Sequence, residues 1–200
     1  IHILASIVIM KIHLEKNAIR AMGVAECYLP ISNKSTLCSV IMRSDLVIDG
    51  CNYGVSTVGG DDITNSISLM YKQFCRNDIN VILILGSIMS SYNVVDINYL
   101  FNSFNLPIIS VSLNSPKNLE NNFKRKHPNS WKNKLLINSK TGDNLKINLA
   151  TKYSIHAQIC GTSKTEAQRI LNKFTLQGSI PEPLRIAKLF ARAKVMKSIS

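Results

Sequence analysis

Five consecutive apolar residues, Val81-Ile82-Leu83-Ile84-Leu85, end at Gly86 and constrain the fold more than any other stretch of this chain. A β-branched-rich run with no polar face suits a strand buried on both sides of a sheet and parallel to a neighbour. A small-residue loop follows (Gly86, Ser87, Ser90, Ser91), and then Asn93 is placed to cap a helix whose apolar positions Ile97, Leu100, Phe101 and Phe104 fall at helical spacing. In open α/β sheets ligands gather where strands hand over to such loops, so the site is expected here.

Upstream, Ile19 to Tyr28, Thr36 to Arg43 and Leu46 to Val58 read as three strands, joined by turn material at Pro30 to Ser35 and at Ser44-Asp45. Connections that short predict an antiparallel meander. Asp49-Gly50, inside the third run, marks a bulge or bend. A helix with Ile63, Ile67, Met70, Tyr71 and Phe74 on one face crosses to the central strand, and Pro107 to Leu113 supplies a fifth strand. Three antiparallel strands followed by two helix-linked strands is the order of a ribonuclease-H-like mixed α/β sheet, which sets the end of Val24-Ala25-Glu26 beside Leu85-Gly86.

Residues 114 to 148 are polar, Asn-rich and basic, and predict short helices and loops. Tyr153 to Cys160 is a further candidate strand. Ser163 and Glu166 then form a capping box, and Pro181-Glu182-Pro183 stiffens the entry to a last helix with Ile186, Leu189, Phe190 and Ala193 on one face. Residues 10 to 200 are expected to form a single domain ending in helices. Ile1 to Ile9 reads as an upstream extension before Met10, too short to span a bilayer.

The net charge of +12 is unevenly placed: residues 1–100 carry about −1 and residues 101–200 carry +13. So one-sided a basic excess points to nucleic acid rather than to a merely solvated surface. Five cysteines without Cys-x-x-Cys spacing read as buried, reduced thiols of a cytoplasmic protein.

Glu26 ends an apolar strand, where a carboxylate needs a cation, a metal or hydrogen-bond donors unless the strand has already reached solvent. Asp61 and Asp62 follow Gly59-Gly60 and precede a helix, so each is a helix cap or a metal ligand. Asp96, in the first turn of the helix that Asn93 is placed to cap, either favours the helix dipole or binds a metal. Lys124-Arg125-Lys126, with His127 and Trp131 beyond, is either a solvated basic loop or a phosphate and base contact. Arg185 and Glu182 suit an ion pair holding the last helix.

Together these segments resemble the archaeal endonuclease dU family, distantly related to endonuclease V. The resemblance rests on Val40-Ile41-Met42-Arg43 with Ile48-Asp49-Gly50, Gly60-Asp61-Asp62-Ile63-Thr64, Tyr92-Asn93-Val94-Val95-Asp96-Ile97, Leu106-Pro107-Ile108-Ile109 and the specific Pro181-Glu182-Pro183-Leu184-Arg185 run. It implies a ribonuclease-H-like fold and metal-dependent cleavage of DNA carrying a deaminated base such as deoxyuridine. On that resemblance Glu26 and Asp62 are the expected catalytic acids. Glu26, Asp62 and Asp96 are the expected ligands of magnesium or manganese. Asn93, Lys124, Arg125, Lys126 and Arg185 are the expected contacts to damaged or single-stranded DNA, in a protein that needs no membrane and can form a homodimer. The chain departs from the family pattern at two places: Ala25-Glu26 stands where a pair of aspartates is typical, and Leu85-Gly86 where an Asp-Gly is. The rival reading is a non-catalytic nucleic-acid-binding protein of the same fold.

Overall fold

A sheet of seven strands places Val81–Leu85 at its centre. The computed structural model describes residues 19–113 and 118–197, so the expectations for Ile1 to Ile9 and Met10 lie outside the described residues. In chain order the elements are β1 (Arg20–Cys27), β2 (Lys34–Arg43), β3 (Ile48–Thr57), α1 (Ile63–Gln73), β4 (Val81–Leu85), β5 (Ile88–Met89), β6 (Asn93–Val94), α2 (Ile97–Phe104) and β7 (Ile108–Ser112). There follow α3 (Leu119–Lys126), α4 (Trp131–Lys140), β8 (Leu145–Asn148), β9 (Ser154–Cys160), α5 (Lys164–Phe174) and α6 (Glu182–Lys197).

The sheet order is β3-β2-β1-β4-β7-β9-β8, with β5 and β6 forming a separate two-stranded hairpin. β1, β2 and β3 are the antiparallel meander that their short connections predict. β4 runs parallel to β1 on one side and to β7 on the other, and Val81 to Ile84 are fully buried. Val24 pairs with Ile84, which sets Glu26 just beyond the level of Leu85 at the carboxyl edge of the parallel strands. The register slips where Ile41 pairs with Gly50 but Met42 with Ile48, leaving Asp49 as the extra residue of a bulge. Its carboxylate is held by Arg20 (2.5 Å) and Arg76 (2.9 Å), and those hydrogen bonds keep it below the usual carboxylate range.

Alternation along the strands divides the core between two faces. Met22, Val24, Ile82, Ile84 and Ile108 pack with α1 and α2 on one side. Ala21, Leu83, Ile109, Val111 and Ala157 pack with α5 and Leu184 of α6 on the other. The α5 capping box is complete: the Ser163 hydroxyl accepts from the Glu166 amide and the Glu166 carboxylate accepts from the Ser163 amide. α6 begins where Gly23 of β1 leaves room for the backbone of Pro183.

Some details differ from the sequence reading. Asn93 does not cap α2; Asp96 does, accepting from the Tyr99 amide at 2.9 Å, because Asn93 is drawn into β6 and fully buried. The polar stretch before Tyr153 contains an edge strand, β8, besides its two helices; of its four residues only Ile147 is buried, which left no alternation to detect. All five cysteines are free, but only Cys38 is buried, whereas Cys51 and Cys75 are exposed because the edge strand β3 and the end of α1 leave them uncovered. Burial pushes the Cys38 thiol up to about 12. Among the described residues, no helix is long and apolar enough to cross a membrane.

Candidate functional site

The loop between β4 and α2 is the structural centre of the carboxyl edge. Its short hairpin closes through Ser90, Ser91 and Tyr92, three consecutive residues with left-handed φ of 41°, 56° and 72°. Each costs an L-residue about 1 kcal/mol, so the loop persists only because its surroundings fix it. Glu26 is the main anchor: it accepts from the Ser90 amide at 2.5 Å, from the Ser90 hydroxyl, and from the Ser35 hydroxyl at 2.7 Å. The Ser90 carbonyl accepts from the Gly59 amide at 2.6 Å, and the Ser91 carbonyl from His127 Nε2 at 3.0 Å. Gly59 has φ +73°, and a Cβ there would lie 2.8 Å from the His127 ring. Tyr92 meets the Phe123 ring edge-on, with centroids 5.4 Å apart.

Asp62 is committed in a similar way. Its carboxylate accepts from the Thr57 amide (3.0 Å), the Thr57 hydroxyl (2.8 Å) and Asn93 Nδ2 (2.7 Å). Asn93 also donates to the Thr57 carbonyl and accepts from the Ile63 amide, so its amide group caps α1, not α2. Desolvation by burial works to raise the Asp62 pKa, but the bonds from Thr57 and Asn93 outweigh it and hold the group below the usual carboxylate range. The stability that follows is present above the unfolded pKa of roughly 3.9 and is lost as pH falls through the depressed folded value. Asp62→Asn should therefore be less stable than the unaltered protein at neutral pH, and thermal melts should show the gap narrowing below about pH 4.

One loop thus binds both expected catalytic acids, Glu26 through Ser90 and Asp62 through Asn93. Asp96 joins neither. It caps α2, its amide donates to Thr64 of α1, and its charge reinforces the rise that burial gives the Cys160 thiol. Cys160 pairs with Ile108 at the amino end of β7, the opposite end of the sheet from Glu26. Among the described residues no group of three or more His, Cys, Asp or Glu side chains is arranged to hold a metal ion. At the strand end nearest Glu26 stands Leu85, packed into the core, whose side chain offers no oxygen. The residues present do not fit a bound divalent metal in this arrangement.

The expected nucleic-acid contacts divide between two regions. Lys124 pairs with Glu120 (2.6 Å) and lies 4.5 Å from the centroid of Trp131, so part of the basic run serves the packing of α3 on α4; Arg125 and Lys126 continue it in the last turn of α3. Arg185 projects from the first turn of α6, half exposed, with its guanidinium on the buried Glu182 carboxylate at 2.5 Å, the ion pair that the sequence predicts. Two residues escaped sequence reasoning. Lys134 of α4 is completely buried and donates to the Gly60 carbonyl (2.6 Å) and the Asp61 carboxylate (2.5 Å). Lys188 of α6 donates to the carbonyl of Glu26 at 2.7 Å. Lysine in a basic, weakly patterned segment gives no sign of burial, so Lys134 had no legible signal; Lys188 carried one only as part of the charge of the last helix.

A mixed sheet with its parallel strands opening at one edge, and a loop gathering acids there, defines a ribonuclease-H-like α/β protein. Residues 17–195 match the model of the endonuclease dU family, and the chain belongs to that family. It is similar to a UPF0215 protein of Pyrobaculum aerophilum, 28% identical over 172 residues that cover 86% of this chain and 92% of the relative. Its fold is similar to a crystal structure of a protein of unknown function from Archaeoglobus fulgidus, with a TM-score of 0.76 and 20% identity over 88% of this chain and 98% of the other. It is also similar to Ciona intestinalis endonuclease V in complex with DNA containing an inosine, with a TM-score of 0.61 and 16% identity over 92% of this chain and 88% of the other.

Proposed function

We propose that this chain binds DNA carrying a deaminated base, deoxyuridine or a similar lesion, and that metal-assisted cleavage of the phosphodiester is lost or strongly reduced. Family membership and the likeness to an endonuclease V bound to inosine-containing DNA support the substrate class. The observation that carries the loss of cleavage is the commitment of both candidate acids: Glu26 and Asp62 spend their oxygens on Ser35, Ser90, Thr57 and Asn93, while Leu85 holds the neighbouring strand end. A metal that clamps attacking and leaving oxygens needs converging, free carboxylate oxygens. The basic second half supports backbone binding, in which affinity falls with added salt through counterion release. The same reading puts the protein in the cytoplasm, as a monomer or a homodimer.

The second reading, an active endonuclease using Glu26, Asp62 and Asp96 with magnesium or manganese, is favoured by membership of a family named for cleavage. It requires the loop of Ser90 to Asn93 to release both carboxylates. Labelled DNA with a single deoxyuridine or deoxyinosine, incubated with the protein and either metal beside a Glu26→Gln control, separates the two. The expected result is salt-sensitive binding with no cleavage above the control. Cleavage near the lesion that Glu26→Gln abolishes would establish the second reading instead.

A further inference from the structure

The face of the sheet covered by α5 and α6 carries a groove that the acids of the opposite face do not use. The β8–β9 turn lies at the carboxyl edge, because Ser112 at the end of β7 pairs with His156 and β9 starts two residues beyond. Tyr153 in that turn is 57% exposed, and Leu176 after α5 is 65% exposed. With Arg185 they line an open groove of about 720 Å3, whose lining holds one cation and no acid.

From this groove α6 presents Arg185, Lys188 and Arg192, three exposed bases at i, i+3 and i+7 and so on one side of the helix. The second of them touches the carbonyl of Glu26, which ties the row to the strand end where the candidate acids begin. The buried Glu182 fixes the plane of the Arg185 guanidinium beside the groove while leaving it half exposed. An exposed phenol ring beside a basic row spaced along a helix suits an aromatic platform and a phosphate track, and a base reaches such a platform only when unstacked from its duplex neighbours.

We infer that a single strand of nucleic acid lies along the outer face of α6, its phosphates on Arg185, Lys188 and Arg192 and one base stacked on Tyr153. The inference rests on the nucleic-acid reading above and assigns it a surface and a strand state. Partner choice follows from charge: the groove is cationic and aromatic, and the second half of the chain carries the whole positive excess.

Fluorescence anisotropy with a labelled oligodeoxythymidine of about 15 nucleotides, and with a duplex of equal length, tests it. Tyr153→Ala should weaken single-strand binding about tenfold and leave duplex binding nearly unchanged. Lys188→Gln with Arg192→Gln should flatten the salt dependence by roughly 0.7 per charge removed. Both variants lie on the surface, and unchanged melting temperatures would show that the fold is intact. If the unaltered protein binds but neither variant weakens it, or only Lys124→Gln with Arg125→Gln does, the α6 path is wrong and the nucleic-acid reading stands. If the unaltered protein binds neither oligonucleotide, the nucleic-acid reading fails and this inference with it.

Discussion

Gly23→Ala should cost about 3 kcal/mol of stability, on the order of 10 °C in melting temperature for a chain of this size. Gly23 sits mid-strand in β1, paired to Val40 on one side and Leu83 on the other, so its backbone cannot step aside. A Cβ added there would stand 2.5 Å from both the carbonyl carbon and Cβ of Pro183, and 2.7 Å from its carbonyl oxygen. Those are backbone atoms and a closed ring in the first turn of α6, with no rotamer to relieve them. Helix α6 must lift, and its buried Ala187 and Ala191 then lose their packing against Ala25, Cys38 and Val40. Gly50→Ala is the matched control: a Cβ there meets the Phe74 ring at 3.4 Å, close to ordinary contact, so the change should be small. Thermal unfolding followed by circular dichroism compares the two, and equal effects would show that the α6 approach is not close-packed. Lifting α6 also moves Lys188 away from Glu26, so the variant should lose single-strand affinity even where it stays folded.

The sequence reading succeeded where a pattern is enforced locally and failed where a side chain is claimed from a distance. Val81–Leu85 had to be a central strand because no exposed position could accept five apolar residues in a row. The Ser163–Glu166 box and the Asp49 bulge were legible for the same reason, since each is a signal of a few adjacent residues. Asn93 lay beyond that reach. It stands four residues before a helix that it does not cap, and it bonds Ile63, 30 positions away, because β6 carries it beneath the start of α1. Asp62 and Glu26 were recognisable as acids that needed partners. That both partners would come from one loop, Asn93 and Ser90, depended on three left-handed residues that no single-residue preference suggests, since none of them is glycine. The candidate site was therefore legible as a place and as a list of acids, while its state of occupation was a property of tertiary structure.

Lys134→Met should cost about 3 kcal/mol and, more tellingly, should loosen the loop over Glu26 although Lys134 is not among the residues bonded to that loop. The Lys134 ammonium is fully buried and donates to the Gly60 carbonyl, to Asp61 Oδ1 and, at 3.4 Å, to the Gly59 carbonyl, three acceptors for three protons. Methionine keeps the stem and its packing but leaves the Gly60 carbonyl without its donor. The Asp61 side chain is 58% exposed, so water can take over its charge. The penalty then falls at the lower end of the range for breaking a buried pair, offset in part by relief of a desolvated cation. Asp61→Asn retains a neutral acceptor at the same place but leaves the fully buried ammonium without its counter-charge, so it should cost at least as much as Lys134→Met. What the lysine fixes is the Gly59–Asp61 turn, and the Gly59 amide is the donor that holds the Ser90 carbonyl. Release at that point removes one of the few restraints on three left-handed residues, which then gain by relaxing. Hydrogen exchange at the Ser90 amide, bonded to Glu26 in the native fold, should accelerate in Lys134→Met by more than the global loss of stability accounts for. Exchange at Ser90 that rises only in step with global unfolding would mean the turn and the loop are held independently, and that Glu26 stays occupied without help from α4.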